Sequence, residues 1–245
     1  MSASATWAVA VRVLIQLRRD PRTIALLVVV PCVLMVILRY AFDGEPPVFA
    51  RIAPPLVGLL PFITMFIVTS IAMLRERTSG TLERLMSMPV GKLDLLAGYA
   101  LAFGAVAVVQ TLVLAAVTLG PLGVDTARGA AVLVALAVAN ALLGMSLGLL
   151  ASAFATSEFQ AVQFMPAIVL PQLLLCGLFV ARDRMAGPLE ALSDVLPLTY
   201  AYDALARAGA PGPLGTRFVI DVAVVVVVTL GALALGAASM RRRSG

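Results

Sequence analysis

Histidine is absent from this 245-residue chain, which removes the commonest general base and the commonest protein metal ligand together. Charge is scarce as well. Only 13% of residues are charged and 61% are hydrophobic, where soluble domains run to about a quarter and about half. With a mean hydropathy of +1.04, water is not the solvent of most of its surface. Both cysteines, Cys32 and Cys176, lie in apolar runs, where a thiol acts as a small hydrophobe rather than half of a disulfide framework. Lysine occurs once, at Lys92, and tryptophan once, at Trp7. The net charge of +5 does not point to nucleic acid, because no basic run interleaves with aromatics. Clustered acids within one loop are missing too, which disfavours a membrane-embedded lipid-modifying enzyme holding a metal and phosphates. Internal repeats and intramembrane carboxylates, expected of an ion-coupled transporter, are not visible.

What the chain has in abundance is apolar length. Uncharged runs near or above the ~20 residues that cross a bilayer predict six spans, at about residues 22–42, 52–74, 97–119, 129–153, 159–181 and 217–240. Gly120, Pro121, Gly123 and Asp125 form a turn cluster that separates the third from the fourth. The last span is completed by its first turn if Asp221 sits at the headgroup level. With the N-terminus in the cytoplasm, Arg12, Arg18, Arg19, Arg22, Arg75, Arg77, Arg84, Lys92 and Arg241 to Arg243 fall inside, eleven of eighteen basic residues. Six spans then return the C-terminus to the same side. The class is all-α integral membrane, a single transmembrane domain over 1–245.

Ahead of the first span, Trp7, Val11, Leu14 and Ile15 share one helical face, with Arg12, Arg18 and Arg19 largely off it. This predicts an interfacial amphipathic helix whose arginines face anionic lipid. Asp20-Pro21 ends it and starts the first span, since proline is tolerated at a helix's first turn.

Residues 75–94, RERTSGTLERLMSMPVGKLD, are the most charged segment. Thr81 can cap a short helix with Leu82, Leu85 and Met86 on its apolar face, and Pro89-Val90-Gly91 ends it. Such a helix is either a rigid docking element for a soluble partner or a solvated loop. A second marked stretch, 182–208, is too short and too charged to span. It reads equally as an extracellular loop or as a re-entrant pair of helices.

The run RERTSGTLERLMSMPV resembles the element after the second span of ABC type 2 exporter permeases, with its acidic-basic pair, Gly-Thr-Leu-Glu core and closing proline. The matching positions are Glu76, Arg77, Gly80, Thr81, Leu82, Glu83 and Pro89. Near the C-terminal end, Cys176 to Phe179 and then Pro197, Leu198, Thr199 and Tyr200 with Asp203 and Arg207 resemble the family's "LSGxFxP … NPLTYxxDALR" stretch. Leu196 replaces its asparagine, and the proline after Phe179 is missing. The resemblance covers essentially the whole chain and is nearest to daunorubicin-resistance and nodulation-type permeases.

That resemblance implies a cytoplasmic coupling helix seated on a separate ATP-binding subunit, and a re-entrant helical pair before the sixth span. It further implies a homodimer or heterodimer of permeases in a bacterial inner membrane, with the pathway between protomers lined by the first, second and fifth spans. ATP and magnesium would sit on the partner, and this chain would bind no cofactor: its only Gly-Lys pair, Gly91-Lys92, lacks the rest of a phosphate-binding loop. Glu158 either makes a second contact with that motor or keeps a short loop wet. Those spans hold almost no ionisable groups, so the expected cargo is hydrophobic or amphipathic, a drug, antibiotic or lipid. A non-transporting ABC-type scaffold is the alternative. Asn140, Gln110, Gln163 and Gln172 are expected to bond neighbouring helices, and Gly144, Ser146, Gly148 and Ser152 to pack them closely.

Overall fold

The computed structural model describes residues 2–81 and 91–239. All regular structure among them is helical, and six helices are long and apolar enough to cross a membrane. The chain runs through α1 (Ala3–Arg18), α2 (Pro21–Ala41), α3 (Pro46–Thr78), α4 (Lys92–Leu119) and α5 (Ala130–Ala151). A fifth crossing is composite, made of α6 (Glu158–Phe164), a π turn (Met165–Val169) and α7 (Leu170–Leu175). Two short helices, α8 (Gly187–Ser193) and α9 (Pro197–Gly209), precede α10 (Gly215–Ser239). The short helix expected after Thr81, with Leu82, Glu83 and Pro89, lies outside the described residues.

Local chemistry sets the helix ends. Asp20 caps α2, its Oδ1 accepting from the Thr23 N–H at 3.2 Å and its Oδ2 from the Thr23 hydroxyl at 2.6 Å, with Pro21 in the first turn. α3 is 33 residues, about 50 Å at 1.5 Å per residue, and overruns the expected 52–74 at both ends. Arg75, Glu76 and Arg77 therefore belong to its last turn rather than to a loop. Gly80, at φ +72°, then turns the chain away from the helix. The helix of the fifth crossing stops at Leu175, short of the expected 181, because Gly177 takes φ +106° and sends the backbone elsewhere. Pro166 falls in the π turn, where a missing N–H is accommodated by a wider helical ring.

Lipid tails are as apolar as leucine, so these helices are held by close contact and polar bonds rather than by escape from water. α3 and α5 meet at the two predicted glycines. A Cβ on Gly144 would lie 2.2 Å from the Phe62 carbonyl oxygen, and one on Gly148 would lie 2.4 Å from that of Phe66. Thr69 reinforces the crossing, its hydroxyl 3.1 Å from the Met145 carbonyl. Phe62, Phe66, Leu133 and Ala137 form the core at this seam. Gln110 donates to the Thr64 hydroxyl at 2.5 Å and so ties α4 to α3, as an intramembrane amide was expected to.

α1 has two working faces. Trp7, Leu14 and Ile15 remain exposed, while Thr6, Val9, Ala10 and Val13 pack on α4, where Gly98 leaves no room for a Cβ beside Val9. Arg12 was expected to face lipid headgroups, but it turns inward to Glu76, because a carboxylate sunk that deep needs a cation.

Candidate functional site

Six crossings alternate in direction, so the end of α3, the start of α4, the end of α5, the start of α6 and the end of α10 share the face that carries residues 75–94. Polar bonds on this loop face tie the helix ends together. Arg75 grips Glu158 with two parallel bonds, Nε to Oε1 at 2.7 Å and Nη2 to Oε2 at 2.9 Å, joining α3 to the fifth crossing. Glu76 receives Arg12 at 3.1 Å, and the same guanidinium donates to the Tyr99 hydroxyl at 2.5 Å, so α1, α3 and α4 converge on one cation. Arg77 reaches Ser239 at the end of α10, at 3.4 Å. At the start of α4, Asp94 accepts from the Gly91 N–H at 3.3 Å and from the Ser2 N–H at 3.0 Å.

Glu76 and Arg77, matched to the family's docking segment, thus point back into the helix ends, and Glu158 meets Arg75. Gly80 supplies the turn, and the Thr81 hydroxyl lies 2.9 Å from that of Ser79. Tyr99 and Ser239 escaped sequence reasoning, and Arg12 was read only as facing lipid. Each lies in an apolar or unremarkable run whose partner is remote in the chain, so no local pattern marked them.

At the opposite end, the Pro-Leu-Thr-Tyr stretch starts α9. Pro197 occupies its first turn, Leu198 and Thr199 are fully buried, and the Leu198 N–H donates to Gln172 at 3.4 Å. The Tyr200 hydroxyl donates to the Asp194 carbonyl at 2.6 Å. Arg182 is the hub, bonded to Asp194, to the Ser193 hydroxyl at 3.1 Å and to Asp203 at 3.1 Å, so the 3₁₀ turn Arg182–Arg184, α8 and α9 form one clasp. Close after the missing proline noted in sequence, Arg182 thus supplies the clasp's cation.

Asp221 was expected at the headgroup level, yet it is wholly buried in protein. Arg207 lies 3.4 Å and Arg217 3.5 Å from its carboxylate, because α9 packs along α10 and covers it. Asn140 is likewise buried, with neither amide atom partnered among the described residues, instead of bonding a neighbouring helix as expected.

The ABC-2 type transporter family model matches residues 4–208. Among curated proteins, the chain is 24% identical over 206 residues to the probable multidrug ABC transporter permease YbhS of Escherichia coli, covering 84% of this chain and 55% of that one. It is 26% identical over 152 residues to the permease YbhR of the same organism, covering 62% and 41%. It is 27% identical over 154 residues to ABC transporter G family member 20 of Dictyostelium discoideum, covering 63% and 21%. The chain therefore spans about half or less of the length of these relatives. With six membrane-length helices, the ordered motifs and a family match over most of its length, the chain belongs to the ABC-2 type transporter family as a multi-pass membrane protein.

Proposed function

We propose that this chain is the membrane subunit of an ATP-driven exporter in a bacterial inner membrane, moving a hydrophobic or amphipathic cargo out of the cytoplasm. ATP and magnesium are held by a separate ATP-binding subunit, and this chain binds no cofactor. Residues 75–94 face the cytoplasm with both termini, and Leu82, Glu83 and Pro89 supply the docking surface. Two permeases, identical or similar, assemble with two ATP-binding subunits. α8 and α9 dip into the outer leaflet and return.

The observation that carries this reading is the polar ring at the loop face. The docking segment emerges from a helix turn whose three charged residues hold three other elements, Arg75 the fifth crossing, Glu76 α1 and Arg77 α10. A push on the segment is therefore felt by helices on several sides at once, a contiguous physical route for coupling. The multidrug permeases named among the relatives fit the same reading.

Purification of the full chain with a candidate ATP-binding subunit tests it. Glu83→Arg, which reverses charge at the docking segment, should abolish co-purification and the permease-dependent part of ATP hydrolysis. Full retention of both would remove the coupling assignment.

A further inference from the structure

Between α1, α2, α3 and α4, opening toward the loop face, lies a cavity of about 940 Å³ that the coupling scheme does not use. It follows α3 from Thr64 to Thr78, about 21 Å at 1.5 Å per residue, or roughly two thirds of a hydrocarbon core. Leu27, Ile67, Val68 and Phe103 wall its depth. Leu26 and Val30 also line it while remaining 62% and 40% exposed, so α2 does not seal it from its surroundings. The volume falls at the upper end of the ~300–1,000 Å³ typical of small-molecule sites.

The mouth is polar and its charge is not neutral. Among the described residues, Asp20, Arg75 and Glu76 are the charged side chains lining it, and with the partners behind them, Arg12 on Glu76 and Glu158 on Arg75, three negative charges stand against two positive. Arg75 is already satisfied by both oxygens of Glu158. Glu76 gives only Oε1 to Arg12, and its Oε2 is buried with no partner among the described residues. Asp20 bonds Thr23 alone and makes no ion pair among the described residues. A desolvated carboxylate oxygen left open is unfavourable until a donor or cation reaches it. An anionic guest would raise that cost, and a neutral apolar one would leave it standing.

We propose that this groove binds a positively charged amphiphile, an organic ammonium or phosphonium ion with an apolar body. Its head lies between Asp20 and Glu76 and its body lies along α2 and α3 toward Thr64. The site sits within one protomer and is open beside α2, which suits a guest arriving from the leaflet on the loop side. Describing the guest as cargo rests on the exporter reading, whereas its binding does not.

The test is saturable binding of tetraphenylphosphonium to the purified full chain in phosphatidylcholine nanodiscs, with empty discs as background. Tetraphenylborate, of the same shape and opposite charge, is the comparison. The cation should bind and the anion should not. Glu76→Gln and Asp20→Asn should each raise its Kd about tenfold, and Val30→Trp, which fills the groove, should abolish binding. Asparagine keeps the α2 cap, so Asp20→Asn and Val30→Trp decide the matter even if Glu76→Gln misfolds. Equal binding of both ions marks a lipid-like apolar surface and overturns the proposal, as does a Kd unchanged in all three variants. The same preparations are scored for association with the ATP-binding subunit. Cation binding without any such association supports the groove while removing the exporter reading, and association without cation binding removes the groove alone.

Discussion

Gly148 shows how little room single residues have in this chain. A Cβ there would meet the Phe66 carbonyl at 2.4 Å and the Thr69 hydroxyl at 2.3 Å, and the carbonyl is backbone that cannot swing aside. Gly148→Ala should therefore lower stability by about 1–3 kcal/mol, the usual cost of overpacking. Gly104→Ala, where the nearest atom is a Leu142 side-chain methyl at 3.3 Å, should be nearly silent. Thermal unfolding in detergent separates the two, and equal midpoints would show that the α3–α5 seam can spread. Asp20 makes a different kind of prediction. The Thr23 hydroxyl and N–H hold its carboxyl below the usual carboxylate range. A carboxyl whose folded value is depressed contributes stability above its unfolded pKa and loses it as pH falls through the folded value. The thermal midpoint of Asp20→Ala should thus lie below that of the wild type at neutral pH, and the two should converge in acid. A gap of constant size would mean that the charge of Asp20 is not what caps α2.

Elements fix what residues cannot. α9 and α10 are joined by a carboxylate with no access to solvent, Asp221, between two half-exposed arginines. Removing one partner of a buried pair leaves an uncompensated charge, whereas replacing both by apolar groups is often tolerated. Arg207→Met should cost on the order of 1–2 kcal/mol, less than the ~3–5 kcal/mol of a fully broken buried pair because Arg217 remains, and Arg207→Met with Asp221→Leu should recover most of it. A double variant no better than the single would mean that Asp221 is not the burden. Sequence reading recovered the elements of this region better than their pairings. The six apolar runs, the turn cluster at Gly120–Asp125, the Asp20-Pro21 start and the glycines of α5 were legible, because each is a local pattern of composition or spacing. The inward turn of Arg12 and the burial of Asp221 were not legible, because both depend on which helix packs alongside, and an isolated arginine or aspartate carries no mark of its partner. The early end of α7 was missed for a related reason. Gly177 was marked as part of the Cys176 to Phe179 motif, but the uncharged run continues to Ala181, and only its positive φ shows that the helix has already ended.

At the scale of the whole molecule, the distribution of cover is uneven. In the most apolar stretch of each crossing, 61% of α3 is buried, against 17% each for α2, the fifth crossing and α10. Three helices thus lie at the periphery of a bundle built around α3, and lipid alone can solvate an apolar face. The three peripheral faces differ in chemistry. α10 presents Val219, Val226, Val227, Leu230 and Leu235, which lipid satisfies. The fifth crossing exposes Gln163 in its first two turns, together with Pro166 in the π turn that follows. An amide facing hydrocarbon lacks hydrogen-bond partners, and a second protein surface can supply them. If permeases pair in the membrane, the fifth crossing should therefore face the partner and α10 should face lipid. With Cys32→Ala and Cys176→Ala as background, Gln163→Cys should cross-link two copies through a short bismaleimide in native membranes, and Leu230→Cys should not. The reverse pattern would put α10 at the interface. Cross-linking at neither position would leave Gln163 to find its partner elsewhere, and the amide would no longer argue for pairing through this face.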